Sequence, residues 1–258
     1  ILTLKIRTMI DLNNIEVGYY TELSKNDGNR LLSDVLIAIK EGSIQKNVIL
    51  DIRDKSKKKE DYDSLKKTLE AFTPSGTFND SRKINNLKTY SGILVLDVDN
   101  LGERQLPKLK KKVIDCPYTL AAFISPSGTG LKILVRVDTN SNMHSVAFKQ
   151  VSDYYTSEMG IKIDASGKDV SRLCFISYDS ELYENKEALV FQIVDSFQSK
   201  YQLALKTTQI KEEFKEGNRN NFIHYLACNC NRLGIPETIA ESLIADNFNF
   251  SGEDFSKT

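Results

Sequence analysis

Three short apolar runs between Gly92 and Val137, GILVLDVD, TLAAFI and LKILVRV, limit what this chain can fold into. Each is rich in aliphatic residues and bounded by turn or charged residues, the pattern of a strand. The piece between the first two carries Lys108, Lys110, Lys111 and Lys112 and is long enough for one crossover helix, as a mixed α/β sheet requires. Upstream, residues 1–8 alternate as a strand, 31–40 and 62–71 read as helices, and TPSGTF is a turn. Downstream, a helix over 144–158 and two strands, RLCFIS and ALVFQIV, complete a main domain near Val194.

Residues 196–211 are polar and read as a linker or an exposed helix. Beyond them Phe222, Ile223, Leu226, Ala227, Cys230 and Leu233 share one helical face. Gly234 ends that helix, and Pro236 suits the first turn of the next. The expected fold class is α+β: a mixed-sheet domain over 1–195, a linker over 196–211 and a small all-helical module over 212–258. The last residues, SGEDFSKT, read as a cut edge.

A length of 258 residues suits one large domain with a small appendage, and 40% apolar with 27% charged residues is ordinary for a protein with a proper core. No apolar run approaches membrane-spanning length, and ILTLKIRTMI has no secretory pattern, so the expected setting is cytoplasmic and away from membranes. Cys116, Cys174, Cys228 and Cys230 offer no CxxC pair, which points to reduced thiols rather than a zinc site. A net charge of zero argues against coating nucleic acid by bulk electrostatics but allows local basic surfaces. The lysines at 55, 57, 58 and 59 and those at 108–112 read as solvated faces.

The chemistry starts inside the first strand. Residues two apart on a strand share a face, so Asp97 and Asp99 project together while Leu94, Leu96 and Val98 pack behind them. Two carboxylates this close repel, so either one is protonated or a divalent cation lies between them; Mg²⁺ and Mn²⁺ favour such oxygen ligands. An Asp-rich strand end capping a turn with Asn100 uses the same residues. SPSGTGLK, residues 125–132, follows between two strands. Gly128 and Gly130 permit close backbone approach to a ligand, and successive N–H groups there can form an anion nest within reach of Lys132. Arg136 shares the face of Lys132, farther along the same wall. A plain hairpin turn is the alternative, and the run lacks the pattern of a P-loop. In KIDASGKDVSRLCFIS, residues 162–177, Asp164 supplies a third carboxylate and Arg172 a bidentate cation; Asp169 is the rival carboxylate, and an Asp169–Arg172 surface pair is the alternative use of that arginine.

Taken in order, these motifs resemble the archaeo-eukaryotic primase (AEP) superfamily, and in particular its bacterial primase-polymerase branch of VirE N-terminal-like domains. That superfamily carries an Asp-x-Asp strand, a Gly/Ser-rich turn ending in a basic residue, and a hydrophobic-Asp pair followed by arginine. Here these are LDVD with Asp97 and Asp99, SPSGTGLK with Lys132, and ID with Asp164 leading to Arg172. The match spans residues 73–183. KEGNRNNFIHYLA, residues 215–227, is similar to the start of a helical primase C-terminal module. Most of the superfamily has Ser-x-His where this chain has Gly130-Leu131-Lys132; VirE-like relatives also show the lysine, a different hydrogen-bonding group.

The resemblance implies an AEP/RRM-like catalytic core and nucleotidyl transfer: a DNA primase-polymerase making and extending primers on single-stranded DNA. Two Mg²⁺ or Mn²⁺ ions would sit on Asp97, Asp99 and Asp164. Ser127, Gly128, Gly130, Lys132 and Arg172 would hold the incoming ribo- or deoxyribonucleoside triphosphate. Arg82, Arg136, Asn218 and Arg219 are weaker candidates for contact with nucleic acid or the initiating nucleotide. Such domains resemble ones in mobile elements, plasmids and some CRISPR loci, where a fused or associated helicase is a compatible partner. Two other classes use the same residues: a non-catalytic single-strand-binding or initiator module, and a two-metal nuclease. Of the remaining residues, His144 reads as solvated and His224 as a helix-surface histidine. Tyr90, Tyr118, Tyr154 and Tyr155 suit packing better than base stacking.

Overall fold

A computed structural model describes residues 11–22, 27–54, 59–194, 196–215 and 217–248. The strand expected over 1–8, the lysines at 55, 57 and 58, and SGEDFSKT lie outside the described residues. The chain divides into two compact units between Ile193 and Val194. In chain order the first unit contains β1 (Glu16–Tyr20), β2 (Asn29–Leu31), α1 (Leu32–Glu41), α2 (Lys46–Ile52), α3 (Lys59–Lys67), β3 (Ala71–Thr73), β4 (Gly76–Phe78) and β5 (Leu87–Tyr90). It continues with β6 (Ile93–Val98), α4 (Gln105–Ile114), β7 (Thr119–Ile124), β8 (Leu131–Asp138), α5 (His144–Met159), β9 (Cys174–Phe175), β10 (Tyr183–Glu184) and β11 (Phe191–Gln192). The described part is α+β.

The three apolar runs form the main sheet. β6 and β7 flank β8 and both run antiparallel to it, so they are parallel to each other and α4 makes the crossover. β10 extends the edge at β7, and β11 runs parallel to the end of β8, past the start of β7, which makes the sheet mixed. Both faces are covered. Leu94, Leu96 and Val98 pack with Ile133 and Val135 against Leu109 and Val113 of α4 and Phe148, Val151 and Tyr155 of α5. Ile93 and Val95 face the other way, packing with Phe123 and Leu134 against Leu36 and Ile39 of α1, Phe72 of β3 and Cys174 of β9. Burial on both faces is why the strands read as continuous apolar runs rather than alternating ones. Each fully buried Leu, Ile or Val contributes roughly 1.5–3 kcal/mol by area. Asp97 is therefore held by a strand whose register is fixed from both sides.

A second sheet, ordered β2-β1-β3-β9 and antiparallel throughout, stands on the other side of that core. It accounts for two differences from the sequence reading. The helix expected over 62–71 stops at Lys67, because Ala71 and Phe72 pair with β1 on one side and β9 on the other. RLCFIS contributes only Cys174 and Phe175 to a ladder, since β3, its neighbour, is three residues long. ALVFQIV likewise pairs only through Phe191 and Gln192.

The second unit holds α6 (Ser196–Gln209), α7 (Arg219–Arg232) and α8 (Glu237–Phe248). The segment expected as a linker or exposed helix is thus mostly helix, and it has a buried side: Tyr201, Ala204, Leu205 and Thr208. Thr208 accepts a 2.9 Å hydrogen bond from the Asn229 side chain of α7. A buried face built from Tyr, Ala and Thr is hard to see in a hydropathy pattern. In α7, Phe222, Leu226 and Cys230 are buried as expected, while Ala227 is exposed and Asn229 takes a place in the interface. Pro236 lies one residue before α8, and its carbonyl accepts from the N–H groups of Ile239 and Ala240. Among the described residues no helix is long and apolar enough to cross a membrane.

Candidate metal and nucleotide site

β6 delivers Asp97 half-buried at its end, and Asp99 stands exposed just beyond. Asp164 is brought to them by a backbone hydrogen bond, in which its N–H donates to the Asp97 carbonyl at 2.9 Å. One carboxylate oxygen from each of the three lies within 4.8 Å of the others. Asp164 is fixed locally as well. It caps a short turn, accepting from the Ser166 N–H at 3.0 Å and the Ser166 hydroxyl at 2.6 Å. Gly167 of that turn lies against the sheet: a Cβ there would come within 2.4 Å of the Phe148 ring and 2.7 Å of the Val95 carbonyl.

His144 corrects the sequence reading. It is 3% exposed, with Nε2 3.2 Å from the Gly167 carbonyl and Nδ1 3.1 Å from the Tyr90 hydroxyl. Nε2 therefore carries the proton and donates, while Nδ1 accepts from Tyr90. This pair supports the turn that bears Asp164. Tyr118 and Tyr154 pack with Phe191, and Tyr155 is buried with its hydroxyl on that of Thr119, so these rings serve the core.

Four cations surround the carboxylates. Lys132, paired with Asp97 across β8 and β6, forms an ion pair with Asp97 Oδ2. Arg172 Nη2 lies 3.7 Å from Asp164 Oδ2. Asp169, the rival partner, instead accepts from the Ser171 N–H and hydroxyl, both at 2.9 Å. Arg82 donates to the Ser171 carbonyl at 3.2 Å and stands over the Tyr20 ring. Lys66 of α3 completes the set. All four line one cavity of about 630 Å³ with Asp97, Asp99 and Ser127. That is the size range of small-ligand pockets.

Charge is distributed unevenly over the acids. Burial and the neighbouring Asp97 push the Asp99 carboxyl above its ordinary range. Hydrogen bonds from Ser166, with Arg172 nearby, hold Asp164 below it. Burial opposes the charge on Lys132, but the Cys174 sulfur and the Asp97 and Asp99 carboxylates beside it outweigh that penalty and raise its pKa. The adjacent Cys174 thiol is pushed up to about 12 by burial and stays neutral. Asp97 Oδ1 is buried without a hydrogen-bond partner. An orphaned carboxylate oxygen, a second carboxyl with a raised pKa and an all-oxygen donor set fit a hard divalent cation.

Residues 64–183 match the family model described as BT4734-like, N-terminal domain, just under half of the chain. No curated protein and no solved structure matches. The matched span holds all three carboxylates and all four cations of the cavity. It leaves out β1, α1, α2 and the second unit.

The remaining expected residues sort themselves by position. Arg136 pairs with Ile93, four residues along β8 from Lys132 and so about 13 Å away, and it does not line the cavity. The close approaches made by the two glycines are to the protein itself. A Cβ on Gly128 (φ +73°) would lie 3.2 Å from the Arg53 stem, and one on Gly130 would lie 2.8 Å from Ser125 Oγ and 2.9 Å from the Val98 carbonyl. Asn218 and Arg219 belong to the second unit, where the Asn218 amide donates to Glu212 and to the Glu213 carbonyl. Lys110 pairs with buried Asp179 at 2.8 Å, while Lys108, Lys111 and Lys112 are exposed. Sequence reasoning missed Lys66 and Tyr62, although their four-residue spacing puts them on one helix face, and it missed Phe175 beside them. It also missed Arg53, which no local pattern marks.

Proposed function

We propose that this protein is a nucleotidyl transferase of the primase-polymerase kind, with an AEP-like core, acting on nucleoside triphosphates and a single-stranded DNA template. The observation that carries this reading is a cluster of three carboxylates, two of which, Asp97 and Asp99, line one nucleotide-sized cavity together with four cations. The ordered motif resemblance to archaeo-eukaryotic primases adds to it. Asp97, Asp99 and Asp164 would hold one or two Mg²⁺ or Mn²⁺ ions, which lower the pKa of an attacking 3′-hydroxyl and offset charge on departing pyrophosphate.

The chain's own residues do the rest by position and charge, as in phosphoryl transfer generally. Lys132 is held at the carboxylates by Asp97 and presents its ammonium to the phosphates. Arg172 and Arg82 meet the triphosphate from two separate loops, and the linked hydroxyls of Ser125, Ser127 and Thr129 leave one proton to donate to it from the turn. Tyr62 and Phe175, on the wall with Lys66, leave the cavity partly apolar for the rest of the nucleotide.

The test is incubation with circular single-stranded DNA, triphosphates and Mn²⁺. New primers that require triphosphates support the reading. Cleavage of a labelled strand without triphosphates would mean a nuclease, and strand binding without incorporation would mean a non-catalytic module.

A further inference from the structure

Arg53, just past the end of α2, makes a set of contacts that the site so far does not use. Its Nη2 donates to the carbonyls of Ser125 (3.0 Å) and Tyr178 (2.8 Å) and to the Ser177 hydroxyl (3.2 Å), and its Nε donates to the Pro126 carbonyl (3.2 Å). Ser177 in turn donates to the Ile124 carbonyl at 2.6 Å. One guanidinium thus ties the end of β7 and the first two residues of the Ser/Gly turn to a separate segment of chain. The methylenes of the same side chain lie directly under Gly128, whose positive φ lets the turn fold down onto them.

Above this support the turn is closed at its neck by the Ser125 N–H donating to the Gly130 carbonyl at 2.9 Å. Across it, the hydroxyls of Ser125, Ser127 and Thr129 form a chain of hydrogen bonds at 2.9 and 3.1 Å, and all three residues line the cavity. Arg53 does not line it. We infer that Arg53 is a positioning residue, holding the 125–130 turn in the shape that presents its chain of hydroxyls to a polyphosphate. A planar fork satisfying three carbonyls and a hydroxyl suits this role, and no other side chain offers that geometry. The inference rests on the reading of the cavity as a triphosphate site.

Calorimetric titration of inorganic tripolyphosphate with Mg²⁺ tests it without any polymerase assay. Arg53→Met keeps the packing stem and removes the fork. With the variant verified as folded by thermal melt, affinity should drop about tenfold, the loss of one well-made hydrogen-bonding group. The Mn²⁺-induced rise in Tm, which reports on the three carboxylates, should stay at the wild-type value. Equal affinity in the two proteins overturns the role of Arg53 and leaves the nucleotide reading standing. Loss of the Mn²⁺ response as well marks a general structural role and overturns the inference. No binding by the wild type overturns both. If Arg53→Met does not fold, Gly128→Ala decides: it leaves Arg53 in place and lifts the turn off its stem, so weaker binding supports the role and unchanged binding overturns it.

Discussion

At the scale of single residues, one carboxylate of the site is poorly compensated while the other two are paired. Asp99 has its carboxyl raised by burial and by Asp97, so at neutral pH its ionised form opposes folding. For a carboxyl raised in the folded state the sign is clear: the penalty is present above the raised pKa and is relieved as pH falls through it. Asp99→Asn removes the penalty at neutral pH. Its Tm in chelator should exceed that of the wild type, and the rise on adding Mn²⁺ should be smaller than the wild type's. A differential scanning measurement with and without Mn²⁺ checks both. A variant no more stable than the wild type in chelator would show that the carboxylates are already compensated. Asp164 contrasts with Asp99, because Ser166 holds its carboxyl low; it enters the site already ionised.

At the scale of elements, what fixes the site is the underside of the turn at 165–168. His144 opens α5 and reaches across to the Gly167 carbonyl, and burial holds its imidazole below the ordinary value near 6.5. The unfolded chain therefore takes up a proton at His144 before the folded one does, and stability falls as pH drops below about 6.5. His144→Asn should show a shallower loss of stability between about pH 7 and about pH 5 in denaturant titrations. An unchanged slope would remove His144 from the account. This histidine also shows where sequence reading runs out. β6, β7, β8, α4 and α5 were legible because their apolar residues repeat at strand or helix spacing and bury two faces of one sheet. The Asp-x-Asp pair was legible because carboxylates break that pattern. His144 and Arg53 act through backbone carbonyls far away in the sequence, and nothing local distinguishes them from surface residues. Lys132 was expected at a phosphate; its ion pair with Asp97 depends on the β6–β8 register, which the sequence does not display.

At the scale of the whole molecule, every residue of the cavity falls in the first unit, and so do the two clusters that bury the main sheet. A fragment ending at Ile193 should fold on its own and keep the Mn²⁺-induced rise in Tm. A fragment that folds but has lost that rise would mean that the second unit completes the site. With a net charge of zero, the proposed binding of phosphate rests on local geometry rather than on an overall field.

On the proposed function, the three carboxylates enable triphosphate-dependent synthesis. This is tested most directly by priming on a circular single strand with saturating Mn²⁺, comparing the wild type with Asp97→Asn/Asp99→Asn. Asparagine is chosen because its amide oxygen can still accept a hydrogen bond from the buried Lys132 ammonium, which alanine at 97 would leave without that acceptor. Primers are expected from the wild type and none from the folded variant; equal product from both would rule out that role for the carboxylates.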